Sequence, residues 1–202
     1  MTKSKETKIE IKIEPLNVKT LMVELVGKTP LVMDRFPDAT KKQILGKQTG
    51  ISKSNKKQIR DVEKEVVEAI HVTRTGKIGF PSIAFKKGMQ EVTSFVGDKF
   101  FSKKLVSGAI RIINVEDGLI PIKCKKQTIL EHSIGCNTKF NPQFHDWSCK
   151  LNIQYDANNI SAEDIITVLN YAGYYVGVGI MRPKGKDGGT GEYGCYEVKT
   201  KK

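Results

Sequence analysis

The sequence predicts an α+β protein in which an antiparallel sheet carries its helices on one face. Three observations support this. Trp147, Cys149, Leu151, Ile153 and Tyr155 alternate with polar residues, the period-two pattern of a half-buried strand. Ser161 followed by Asp164 forms a capping box at the start of a helix whose stripe is Ile165, Ile166, Val168, Leu169 and Ala172. A glycine-rich, cationic stretch from Gly177 to Gly194 follows, and then the short strand Gly194–Val198.

The remaining elements follow in chain order. Residues 1–16 alternate Ile9, Ile11 and Ile13 with charges, as either a frayed arm or an edge strand. Residues 17–198 form a single domain, and 199–202 a tail. Thr20–Gly27 is a strand rich in apolar and β-branched residues, and Pro30–Phe36 a second extended piece. From Ala39 to Arg60 the chain holds Lys41, Lys42, Lys47, Lys53, Lys56, Lys57 and Arg60, no acids and few large apolar residues. Such a segment cannot offset its ordering entropy by burial, so residues 39–60 are expected to be a mobile insertion, either a solvated loop or a basic flap over phosphates. Asp61–Ile70 has helical spacing, His71–Phe80 reads as a strand broken at Thr75–Gly76, and a helix starts at Phe80-Pro81-Ser82. Leu105–Val115 and Leu119–Leu130 read as two strands joined by an Asp117-Gly118 hairpin turn. Gly135–Pro142 reads as a polar connection, and Gly173 as the end of the capped helix.

The bulk properties point to a polyanion. The chain has 202 residues, a net charge of +12, 39% hydrophobic residues and a mean hydropathy of −0.34. No apolar run approaches the ~18 residues a membrane span needs, and the basic start leads into charged residues rather than a signal core. Cys124, Cys136, Cys149 and Cys195 lack the close pair usual in zinc sites, so reduced thiols in a cytoplasmic setting are expected, with neither metal nor other cofactor. His71, His132 and His145 have no spacing that implies contact, and neither a P-loop nor a serine elbow occurs, so catalysis has no visible residues.

Glycines let backbone approach a ligand closely, and adjacent cations suit phosphate. The candidate nucleic-acid contacts are therefore Lys41, Lys42, Lys53, Lys56, Lys57 and Arg60 in the insertion, together with Lys86 and Lys87 on a helix. Lys103 and Lys104 join them, as do Gly177, Gly179, Arg182, Lys184 and Lys186 in the glycine-rich loop. Phe100 and Phe101 are interleaved with lysines, whereas Tyr174 and Tyr175 read mainly as core.

Strand, capped helix, glycine-rich loop and strand make half of a ferredoxin-like β-α-β-β-α-β sandwich. With Gly177-Val-Gly179 and Gly189-Thr-Gly191 as two G-x-G clusters, the C-terminal third resembles the repeat-associated mysterious protein (RAMP) superfamily, which includes crRNA-binding and processing subunits of CRISPR effector complexes. The chain departs from that pattern in the long basic insertion between the clusters. Over most of its length it is also similar to an uncharacterised set of bacteriophage proteins, through Asp146-Trp147, Ala172-Gly173, Gly177 to Pro183 and Tyr193-Gly194, with Phe80-Pro81 and Gly27–Leu31 in front. The resemblance implies a non-catalytic protein that binds RNA or single-stranded DNA with little sequence preference and assembles as a homo-oligomer along the strand. Two alternatives stay open: a phage counter-defence protein that captures a nucleotide signal or blocks a host complex, and a RAMP-type endoribonuclease using a histidine.

Overall fold

The fold is described from a computed structural model covering residues 15–50, 60–96, 102–134, 137–184 and 191–199. In chain order the elements are β1 (Val18–Gly27), β2 (Leu31–Val32), α1 (Asp38–Gln48), α2 (Val62–Glu68), β3 (Gly79–Pro81), α3 (Ser82–Val96) and α4 (Lys103–Ala109). Next come β4 (Ile110–Ile113), β5 (Leu119–Lys123), β6 (Lys126–Ile134), β7 (Asn137–His145), β8 (Ser148–Asp156), α5 (Ala162–Tyr175) and β9 (Tyr196–Val198). Among the described residues no helix is long and apolar enough to cross a membrane.

The main sheet has the order β3-β5-β8-β1-β9, with β4 also on β8, and every pairing is antiparallel. Tracing β1, α3, β4 with β5, β8, α5 and β9 gives the β-α-β-β-α-β order of a ferredoxin-like fold. Two insertions decorate it. One, between β1 and α3, carries β2, α1, α2 and β3. The other is the β6–β7 hairpin, which pairs with β2 in a second sheet.

Alternation decides which face is covered. Cys149, Leu151, Ile153 and Tyr155 are buried, and register places Cys149 beside Leu25 and Leu151 beside Val23. Of the intervening positions Met22 and Lys150 are exposed, and Glu24, Asn152 and Gln154 are half-buried. Phe85, Met89 and Val92 of α3 and Ile165, Val168, Leu169 and Ala172 of α5 close the covered face. Each of these side chains other than Ala172 contributes about 1.5–3 kcal/mol on burial. The α5 entry forms as its residues predict. The Ser161 hydroxyl accepts from the Asp164 N–H at 3.0 Å, the Asp164 carboxylate accepts from the Ser161 N–H at 3.4 Å, and Ile160 and Ile165 are both buried beside the cap.

Four local expectations are corrected. The first half of the 39–60 insertion is helix α1: Ala, Lys, Gln and Leu are good helix formers, and Asp38 in the first turn bonds Lys41 and Arg35. Burial plays little part there, since Ile44 and Leu45 remain exposed. Residues 103–109 form helix α4 rather than strand, because Ser102 caps it by accepting from the Leu105 N–H. Asp117 and Gly118 do make a tight turn with both φ positive, bridging Glu116 to Leu119. Yet β4 and β5 then lie one after the other along β8 instead of pairing as a hairpin, and the expected long strand divides at Cys124–Lys125 into β5 and β6. Finally, Asn137–Pro142 belongs to β7. Its buried Asn141 donates to the Met33 carbonyl at 2.8 Å and accepts from His132 at 2.9 Å. Up to Asn141 strand β7 satisfies polar groups and buries no large apolar side chain, Phe144 being its core residue, so its first part resembles a loop in composition.

Candidate functional site

The glycine-rich loop leaves α5 through Gly177, whose φ is +65° and whose N–H returns to the Ala172 carbonyl at 2.9 Å. Its glycines approach this chain's own backbone. A Cβ on Gly179 would lie 2.5 Å from the Val32 carbonyl oxygen, and one on Gly191 would lie 1.8 Å from that of Met181. The loop N–H groups are used internally too. Val178 donates to Gly194, Ile180 to Val32, Tyr193 to Met181, and Gly194 to Pro30, at 2.8–3.1 Å. These glycines thus weld the described parts of the loop to β2 and to the segment before β9. Met181 is held at a φ of 55°, which a side-chain-bearing residue adopts only when its surroundings impose it.

The weld fixes the positions of two cations. Arg182 is mostly buried, with Nη2 3.8 Å from Oε1 of Glu91 on α3. Lys184 places its ammonium 4.2 Å from the centroid of Phe95, one helical turn beyond Glu91. Phe95 in turn lies parallel to Tyr175 at 6.0 Å, and Tyr174 meets Tyr175 edge-on at 5.1 Å. Tyr174 is 73% exposed, Phe95 50% and Tyr175 44%, so for this tyrosine pair the core expectation is corrected. Their helix ends while still facing solvent, because Gly177 turns the chain inward after α5 has filled its buried stripe. Lys87 shares the α3 face of Glu91 and Phe95 by its spacing of four, and is exposed.

A second basic cluster lies where α3, α4 and β4 meet. Lys86 donates to the Ser107 carbonyl at 2.8 Å, and burial, aided by Arg111, holds its ammonium below the ordinary lysine range. Lys104 and Arg111 border a depression of about 420 Å³ between α4 and β8, with Lys103 exposed on the same helix. Sequence reading missed Arg111 and Phe95. Arg111 looked like a routine strand cation, and Phe95 like part of a buried stripe.

In the insertion, Lys41 pairs with Asp38, Arg60 pairs with Glu65 through both of its oxygens, and Lys42 is exposed. Lys53, Lys56, Lys57 and Lys186 lie outside the described residues, as do Phe100, Phe101, Gly189 and Cys136. The histidines are engaged separately. His71 packs edge-on to Phe80, His132 bonds Asn141, and His145 bonds Thr128 at 2.7 Å. Burial, followed by the positive charges of Arg35 and Lys41, holds His71 below the usual imidazole range. Cys149 is buried, and its thiol is pushed up to about 12.

No protein-family model matches the chain, and no curated protein does so. Among solved structures it is similar to Cmr6 from Pyrococcus furiosus, with 9% identity and a TM-score of 0.42, over 92% of this chain and 100% of that one.

Proposed function

We propose that this chain binds RNA or single-stranded DNA without doing chemistry on it, by neutralising phosphates with loop cations and stacking bases on exposed aromatic rings. The observation that carries this reading is the surface cluster of Lys184, Phe95, Tyr175 and Tyr174 beside Arg182, on a chain of net charge +12. Phe95, Tyr174 and Tyr175 lie 44–73% exposed at helix ends, so ring surface remains available to a base. Single-strand sites combine such rings with cations, and stacking contributes about 1–3 kcal/mol per base. The resemblance of the C-terminal third to the RAMP superfamily supports the same class of ligand. Lys42, Lys87, Lys103, Lys104 and Lys186 are further proposed phosphate contacts, with Lys86 a weaker one because Ser107 already holds it. So are Lys53, Lys56 and Lys57. Assembly of several copies along one strand is part of the proposal.

The test is fluorescence anisotropy with labelled RNA and single-stranded DNA of about 10 and about 40 nucleotides at two salt concentrations. Affinity is expected to rise with length and fall with salt. Replacing Arg182, Lys184 and Lys186 by alanine together is expected to weaken binding and to flatten log K against log salt by about 0.7 for each replaced cation that has no carboxylate partner, Arg182 adding less because it faces Glu91. Absence of binding at low salt refutes the proposal.

A further inference from the structure

We infer that the groove between the C-terminal half of α5 and β9 receives one nucleobase of the bound strand, an inference that rests on the reading above. The groove encloses about 770 Å³, within the range that takes a small organic ligand, and Tyr171, Tyr174, Tyr175, Asn170, Lys28 and Glu197 are among its lining residues. Its floor is tight. A Cβ on Gly173 would come 2.0 Å from the Tyr196 carbonyl oxygen, so helix and strand touch there and the groove cannot close further.

Three features select a neutral heteroaromatic ring over a bare phosphate. First, Lys28 is paired with Glu197 at 2.6 Å, which leaves the groove locally neutral and places a carboxylate where it repels an anion. Second, the Asn170 side chain is oriented by its Oδ1, which accepts from the Val198 N–H at 2.7 Å. Its amide hydrogens are left to donate to a base carbonyl or ring nitrogen, while Glu197 offers an acceptor for an exocyclic amine. Third, Tyr174 presents a largely exposed ring that costs little conformational freedom to immobilise. The same tyrosine meets Tyr175 edge-on, so a base stacked on Tyr174 lies beside the Phe95–Tyr175 pair and at roughly a right angle to it.

The experiment compares a labelled single strand of about 10 nucleotides with an abasic strand of the same length and charge. The full-length protein is expected to bind the base-bearing strand about tenfold more tightly. Tyr174→Ala removes the stacking surface at an exposed position. Asn170→Asp keeps the acceptor for Val198 and removes the donor. Each is expected to reduce the base-bearing to abasic ratio to below about threefold, with melting temperature showing that the fold is intact. Equal binding of the two strands by the unaltered protein overturns the inference, as does an unchanged ratio in Tyr174→Ala. Salt-sensitive binding of both strands with no base preference leaves the phosphate contacts standing and removes the groove together with base stacking on the exposed rings. Failure of both strands to bind at low salt removes both readings.

Discussion

Gly194 provides the sharpest test of what the loop glycines do. Its φ is +69°, and a Cβ there would stand 1.7 Å from the Val178 carbonyl oxygen. The neighbouring backbone cannot back away cheaply, because the Val178 N–H donates to the Gly194 carbonyl at 3.0 Å and the Gly194 N–H donates to Pro30 at 2.8 Å. For Gly194→Ala the left-handed conformation costs about 1 kcal/mol and overpacking about 1–3. Loss of one of the two hydrogen bonds adds about 1 more. The substitution should therefore destabilise by about 3–5 kcal/mol, a large fraction of the ~5–15 kcal/mol typical of a folded domain. Urea unfolding followed by far-UV circular dichroism should show a lower midpoint at unchanged slope, and heating a fall in Tm of about 6–20 °C. Gly46→Ala is the control. Nothing lies within 4 Å of its added Cβ, and the site is within α1, so it should gain up to about 1 kcal/mol. If Gly194→Ala shifted stability by less than about 1 kcal/mol while weakening nucleic-acid binding, the glycine would be serving a ligand and the weld would be wrong.

Ser161→Ala should cost about 1 kcal/mol by removing the acceptor for the Asp164 N–H, measured by the same urea titration. Trp147→Phe should cost about 2–4 kcal/mol, because the indole N–H donates to the Thr29 carbonyl at 2.9 Å from a fully buried ring. Cys149, with its thiol pushed up to about 12 by burial, should resist alkylation in the native state and react only on unfolding. Because the folded state holds this proton more tightly than the unfolded one, its contribution is complete below pH 9. It is lost between pH 9 and 12 at up to about 1.4 kcal/mol per pH unit, so the stability gap to Cys149→Ala should narrow over that window.

The ferredoxin-like frame was legible wherever local rules and burial agree. Strand β8 alternates cleanly, α5 carries its own cap, and the Asp117-Gly118 turn is dictated by backbone conformation. Elements whose stability comes from other sources were misread. Helix α1 exists on propensity and an acidic first turn, and α4 depends on a single serine cap, so neither has a full apolar stripe to announce it. Strand β7 is polar because its partners His132 and Met33 supply hydrogen bonds. The site divides the same way. Composition singled out Arg182 and Lys184 as expected phosphate contacts, but the meaning of the glycines depended on Val32 and Pro30, which only folding brings to the loop, and on Met181 folding back onto Gly191. Tyr174 and Tyr175 follow a buried stripe without interruption, and their exposure depends on where Gly177 turns the chain.

Net charge overstates how many cations can act on phosphate. Arg60 lies against Glu65 with bonds to both carboxylate oxygens, and Lys41, Lys139 and Lys199 also have carboxylate partners. These exposed pairs hold only about 0–1 kcal/mol each, so a phosphate can compete for the cation. The freed carboxylate then takes up a counterion from solution, which cancels the one released from the strand. Lys184 is different, because its partner is the uncharged ring of Phe95. Its contact with phosphate should release a counterion with no compensating uptake. Measured across a salt series, Lys184→Ala should therefore flatten the slope of log K against log salt by about 0.7, whereas Arg60→Ala should leave the slope within about 0.2 of the unaltered protein. Equal flattening by both would mean that ion pairing does not decide which cations count. Flattening by Arg60→Ala alone would move the phosphate path from the welded loop to the insertion.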